Sequence, residues 1–278
     1  MVRILPNIIL PILISLMVSV GGPAVAQQGL VQLDTALSRR GLEGVGRIDM
    51  VGPNGTEGFC TGALVSPTQV LTAAHCLFNK STGEPHSIDN LTFRAGLYDG
   101  LESASRRVRR VVMHPDYKYG PDPSQSSLRA DLALLELDRA LQIASVQPFD
   151  TRGRLFRGDI VQVVSYARGR ENAPSSEDDC VVLDRDDRVL VLSCSVDFGA
   201  SGAPVFVQTD QGLRIVSVIS AMTTWENRPV ALAVTVEEGL RRLQREFAAS
   251  PRTTPVRKVV RVGQGERTGT IRFLRPDG

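Results

Sequence analysis

From Val45 onward the chain is built of short alternating or apolar runs, each closed by turn residues, and this pattern restricts the fold more than any other feature. GVGRIDMV and FCTGALVS flank PNGTEG, which reads as the turn of a hairpin, and VLTAA follows after SPTQ. LTFRAGLY, SRRVRRVVMH and LALLEL continue the series, with KYGPDPSQSSLR as a Pro/Ser-rich loop before the last of them. The second half has the same style. DIVQVVSYA alternates, CVVLDRDDRVLVLSC and APVFVQTDQGLRIVSVIS read as hairpins, and RPVALAVTV is a last strand. The one convincing helix is VEEGLRRLQREFAA, with early acids, later arginines and apolar residues at helical spacing. Many short strands and one helix predict an all-β barrel or sandwich fold.

The two ends of the chain read differently. Arg3 precedes an apolar stretch interrupted by Pro6 and Pro11, and Pro23, Ala24, Val25 and Ala26 form a small-residue cleavage site. Residues 1–26 are therefore expected to be a signal peptide removed after Ala26, since the stretch is short for a span of ~20 apolar residues. No later segment is apolar enough to span a bilayer. Residues 27–44 are polar without a sustained period and read as an N-terminal arm or short propeptide. Residues 45–148 and 149–249 accommodate two small barrels, the second carrying the helix. Residues 250–278 form a basic, Pro/Gly-punctuated extension able to contact an anionic surface, although a solvated tail is the commoner meaning of such a charge run. The formal net charge of +2 gives no case for a nucleic-acid partner.

Four cysteines, Cys60, Cys76, Cys180 and Cys194, allow three pairings in an exported chain. Sequence proximity favours Cys60 with Cys76 and Cys180 with Cys194, and the latter two would meet across the strands of one hairpin. Zinc is disfavoured: there is no C-x₂₋₄-C pair and the chain has only three histidines.

Three residues invite a chemical reading. His75 follows the strand-like VLTAA and adjoins Cys76, so a disulfide would fix its backbone, as a general base requires. Asp131 opens the apolar DLALLEL, where a partly buried carboxylate needs a partner such as an imidazole. Ser201 sits in GASGAP, where Gly199 permits a backbone that aims successive amides, those of Gly199 and Ser201, at one point. A serine hydroxyl there becomes a nucleophile only with a base beside it. Each residue alone also fits a structural role.

Taken together, FCTGALVSPTQVLTAAHC, VVMHPDY followed by DLALLEL, and GASGAPV resemble the trypsin/chymotrypsin-like serine peptidases, in the family's order His, Asp, Ser. The resemblance implies two six-stranded antiparallel barrels with the site in the cleft between them. It also implies His75 as base, Asp131 as its orienter, Ser201 as nucleophile, and the amides of Gly199 and Ser201 as the oxyanion hole. His114 of MHPDY becomes a structural loop residue, and no cofactor or metal is implied.

The departures are informative. Digestive-type members carry an aspartate directly before the nucleophile, which pairs with a new N-terminal amine; here the residue is Ala200, and no IVGG-like segment precedes the first barrel. Cys194, seven residues before Ser201, is similar to the bacterial glutamyl-endopeptidase-like branch. The turn is expected to be held by local packing and the Cys180–Cys194 bridge. Ser195 is expected near the floor of the specificity pocket, with Ile219 and Ser220 on its wall. Ser195 replaces the aspartate of trypsin-like enzymes and Ile219 the histidine of glutamyl-specific ones, so a small or apolar residue before the scissile bond is the expected preference.

The sequence therefore predicts an exported serine endopeptidase, periplasmic or extracellular, acting on protein or peptide substrates through an acyl-enzyme. The competing reading is an inactive homologue that serves as a binding or adhesion protein.

Overall fold

The computed structural model describes residues 29–52, 55–120 and 125–249. The expected signal peptide, the start of the arm and the basic extension lie outside the described residues. In chain order the elements are β1 (Val31–Gln32), α1 (Ala36–Arg39), β2 (Val45–Gly52), β3 (Gly55–Ser66), β4 (Gln69–Thr72), β5 (Leu91–Ala95), β6 (Ala104–Met113), α2 (Gln125–Leu128) and β7 (Ala133–Leu137). They continue with β8 (Ile160–Ala167), β9 (Arg170–Asp186), β10 (Val189–Leu192), β11 (Pro204–Thr209), β12 (Gly212–Trp225), β13 (Arg228–Thr235) and α3 (Val236–Ala249).

The first barrel closes in the order β2-β3-β4-β7-β6-β5, all pairs antiparallel. Alternation drives it: Leu91, Phe93 and Ala95 of β5 point inward while Thr92 and Arg94 between them are only partly covered. β7 is buried along its whole length and is apolar except for Glu136, which pairs with Arg109 and Arg110. In the second half, β9-β10-β13-β12-β11-β8 form a sheet that the additional β8–β9 pairing closes on itself. Closure removes the exposed strand edges of the first barrel. The architecture is all-β and chymotrypsin-like, with the helix at its end, as the sequence predicts.

Four stretches were not evident from the residues: β1 and α1 in the arm, α2 in the segment read as a Pro/Ser-rich loop, and the first half of β9. β9 runs for 17 residues and begins at Arg170, ten residues before the Cys180 at which the hairpin was expected to start. Its first half, RENAPSSEDD, is polar, yet Ser175, Ser176 and Glu177 are buried. The N-terminal arm is also structured. β1 adds to β9 through Val31–Ser176 and Gln32–Ser175, so a segment preceding the first barrel is sewn onto the second.

The helix performs the reverse tie. α3 leaves β13 and packs back on the first barrel, burying Val236, Leu240 and Leu243. Each fully buried leucine contributes roughly 1.5–3 kcal/mol. Gly239 lets the helix approach closely, because a Cβ there would lie 2.5 Å from Leu132 Cδ1, one residue past Asp131. The Arg110 guanidinium stacks 3.4 Å over the Phe247 ring. The strand end that carries Asp131 is thus braced by the helix that ends the second barrel.

Candidate active site

His75 lies in a 3-10 turn, Ala74–Leu77, that directly follows β4. Cys76 of this turn is joined to Cys60 of β3, fixing the backbone of the adjacent histidine. Asp131 stands just ahead of β7 and is 3% exposed. A carboxylate so deeply placed must be satisfied by donors. Three are present. The His75 backbone N–H donates to Oδ1 at 2.9 Å, His75 Nδ1–H donates to Oδ2 at 2.7 Å, and the Ser220 hydroxyl donates to Oδ2. With Nδ1 committed to the carboxylate, the neutral ring keeps Nε2 as its acceptor. Tyr117, half-buried nearby, has its phenol pushed above the usual range by burial and by the Asp131 charge.

Ser201 lies in the turn before β11. Two cavities, about 700 Å³ and about 170 Å³, are each lined by both His75 and Ser201. Gly199 has φ +97°, and a Cβ there would lie 2.3 Å from the Phe59 ring, so only glycine fits. Gly202 has φ +79°, with its Cβ position 2.1 Å from Thr72 Oγ1.

The carbonyls of four successive residues in this turn are all anchored. Phe198 O accepts from the Arg168 amide at 2.8 Å and Gly199 O from the Thr61 hydroxyl at 2.9 Å. Ala200 O accepts from the Ala203 amide and Ser201 O from the Thr61 amide, both at 2.9 Å. Holding each C=O fixes the N–H at the other end of the same planar peptide. The amides of Gly199 and Ser201 themselves find no protein acceptor among the described residues. Two fixed amides without acceptors, beside a serine and an oriented imidazole, are suited to receive negative charge on a substrate oxygen.

Thr61 is the residue that sequence reasoning missed. It is fully buried, and its hydroxyl also accepts from the Tyr166 amide at 3.0 Å while its carbonyl accepts from Thr72 Oγ1 at 2.8 Å. It lies in FCTGALVS, directly after Cys60, and only its neighbour's disulfide drew notice there. Ala200, 0% exposed, occupies the place of the absent aspartate, its amide donating to Asp197 O at 3.0 Å. The Cys180–Cys194 bridge ties β9 to the chain leading into the turn.

The expected pocket residues separate. Ile219 lines the smaller cavity, and its carbonyl and amide zip β12 to the Gly202 amide and Ala203 carbonyl. Ser220 lines the same cavity but spends its hydroxyl on Asp131, so it supports the carboxylate as well as the wall. Ser195 is exposed, lines neither cavity, and donates its amide to Glu177 Oε2 at 2.8 Å. Val196, Asp197 and Phe198 reach the smaller cavity instead. His114 is buried away from the site; its amide donates to Leu132 O at 3.0 Å. Among the described residues Cys60, His75 and Cys76 are the one group spaced to hold a metal ion, but both sulfurs are bound in the disulfide, leaving a single ligand atom.

Comparison with known proteins agrees with this geometry. A solved structure of a Glu endopeptidase in complex with MPD superimposes with a TM-score of 0.63 and 17% identity, covering 80% of this chain and 97% of that one. This likeness is one of fold. Modular serine protease of Drosophila melanogaster is 36% identical over 95 residues, 31% of this chain and 14% of its own length. Coagulation factor IX of Oryctolagus cuniculus is 35% identical over 91 residues, 32% of this chain and 30% of its own. Trypsin of Phaedon cochleariae is 33% identical over 92 residues, 32% of each chain. The matched stretch spans at most about a third of the length of these curated relatives. The family model described as a trypsin-like peptidase domain matches residues 60–213, more than half of the sequence and inclusive of His75, Asp131 and Ser201. The chain belongs to the trypsin-like peptidase domain family.

Proposed function

We propose that the protein is a serine endopeptidase that hydrolyses peptide bonds through an acyl-enzyme at Ser201. The observation that carries this reading is the Asp131 carboxylate, which takes three donors and so holds His75 in one tautomer with Nε2 available to a proton. In the first step His75 Nε2 accepts the Ser201 hydroxyl proton as Oγ bonds to the substrate carbonyl carbon. The oxygen that gains the electron pair is held by the Gly199 and Ser201 amides. The C–N bond then breaks, the amine leaves with the proton from His75, and an ester remains on Ser201. A water, deprotonated by His75, attacks the ester, and Oγ recovers its proton as the acid leaves.

The smaller cavity has Val196, Ile219, Ala221 and Met222 in its lining, with Asp197 and Lys80 beside them, and its volume of about 170 Å³ suits a small side chain before the scissile bond. Two disulfides favour an oxidising location, and no helix among the described residues is long and apolar enough to cross a membrane. Export through the N-terminal leader completes the reading. Its test is cleavage of a randomised peptide library by the purified protein beside Ser201→Ala. Specific products from the first and none from the second are expected; equal profiles would point to a binding protein.

A further inference from the structure

The larger cavity beside Ser201 carries charge that the proposed chemistry does not use. Phe198, one residue ahead of Gly199, is 46% exposed and lines both cavities. The Arg168 guanidinium stands 4.2 Å from its ring centroid and the Lys80 ammonium 5.3 Å. Arg168 comes from the tight turn between β8 and β9, and Lys80 from the loop just after the His75 turn. Two different parts of the fold therefore bring cations to one aromatic residue at the mouth of the site.

Both side chains are exposed, and neither makes a close ion pair among the described residues, Arg168 acting on the Glu171 carboxylate only at longer range. Their charges lie within about 10 Å of each other, about one screening length in ordinary salt, so they repel rather than ignore one another. Attraction to the ring offsets part of that repulsion. The one carboxylate lining this cavity, Glu171, is bound to the Gly169 amide at 2.8 Å, and that bond, with the nearby charges of Arg47 and Arg168, holds it below the usual carboxylate range.

We infer that the 700 Å³ cavity is a subsite for an acidic side chain of the polypeptide substrate, held between Lys80 and Arg168 over the edge of Phe198. The inference rests on the peptidase reading above. In that reading the smaller cavity takes the residue before the scissile bond, so the larger one receives residues after it. A carboxylate arriving there relieves the repulsion between the two cations and meets them without displacing an existing partner.

The test uses peptides that differ only by Glu or Gln at each position after the cleaved bond, with kcat/KM as the readout. The wild type is expected to prefer Glu by roughly 1.5- to 5-fold at one of these positions, the range expected for exposed charge pairs. The preference should shrink toward unity in 1 M salt and in the double variant Lys80→Gln/Arg168→Gln. Glutamine at 168 keeps the backbone amide that holds Phe198, and taking the Glu/Gln ratio within each enzyme cancels any general change in activity. Equal rates for Glu and Gln peptides in the wild type, or a preference that survives the double variant, would overturn the subsite. Failure of the wild type to react with a fluorophosphonate at Ser201 would instead remove the peptidase reading and the subsite with it.

Discussion

The Thr61 hydroxyl reaches from the first barrel into the turn of the second that carries Ser201 and donates to Gly199 O at 2.9 Å, while its backbone amide donates to Ser201 O at the same distance. One buried threonine thus holds both ends of the segment that carries the two acceptor-free amides. In digestive-type relatives a charged pair created by cleavage does this holding; here Ala200 leaves no acid for such a pair, and neutral hydrogen bonds between barrels stand in its place.

Thr61→Val removes the hydroxyl at nearly constant volume, so the Gly199 carbonyl and the Tyr166 amide lose their partner. The expected result is a fall in kcat of about 10-fold with little change in KM, smaller than the loss of an oxyanion donor itself, which costs roughly 10²–10³. Thr61→Ser should retain most of the activity. Steady-state kinetics on the three proteins checks this, with a valine variant as fast as wild type being the adverse result.

Asp131→Asn should be far more damaging. The amide can present an N–H toward His75 Nδ1 and turn the ring to the wrong tautomer, with an expected loss of about 10⁴ in kcat. Ser220→Ala leaves two of three donors on the carboxylate, and losing one hydrogen bond to a charged group implies a drop of roughly 10- to 100-fold. Measured in parallel, the two variants should keep that order.

Much of the candidate site was legible because the chemistry proposed for it demands rare residues in fixed order. His75, Asp131 and Ser201 stood out against a background of three histidines and a run of short strands. What stayed hidden was carried by common residues whose meaning is positional. Thr61 is an ordinary strand threonine until a turn from 138 residues away comes to rest on it. The first half of β9 was missed because its buried residues include serines and Glu177 rather than the apolar alternation that marks a strand, and β1 because two residues are too few to show a period. Ser195 was misplaced for a related reason: no local signal records how the chain between Cys194 and Ser201 winds before it reaches the cleft.

Gly202→Ala should not yield a normally folded protein. The new methyl would fall 2.1 Å from Thr72 Oγ1 and 2.3 Å from Thr61 O, at a φ that side chains rarely adopt. Strain of this kind costs on the order of 3 kcal/mol or more. A thermal melt several degrees below wild type, or loss of soluble protein, is expected; an unchanged melting temperature would contradict the packing described.

His114 gives the fold a pH dependence separate from catalysis. Burial, with the Arg188 and Arg242 charges, pushes its pKa below the ordinary 6.5, and Asp116 and Glu238 only partly oppose this. The unfolded chain therefore binds this proton more readily than the folded one. Its stabilising contribution is complete above pH 6.5 and is lost as the pH falls through the depressed folded value. Melting temperatures measured between about pH 8 and 5 should decline less steeply on the acid side in His114→Gln than in wild type.

The central claim is that Ser201 is an activated nucleophile with His75 as its base, in a turn that needs no newly cut terminus. A fluorophosphonate probe tests it directly, with the modified residue located by mass spectrometry. The account predicts labelling at Ser201 in a protein beginning at Gln27 and equally in one beginning at Gly41, and no labelling in Ser201→Ala or His75→Ala. A folded wild type that resists the probe, or reactivity that depends on one particular new N-terminus, would contradict it.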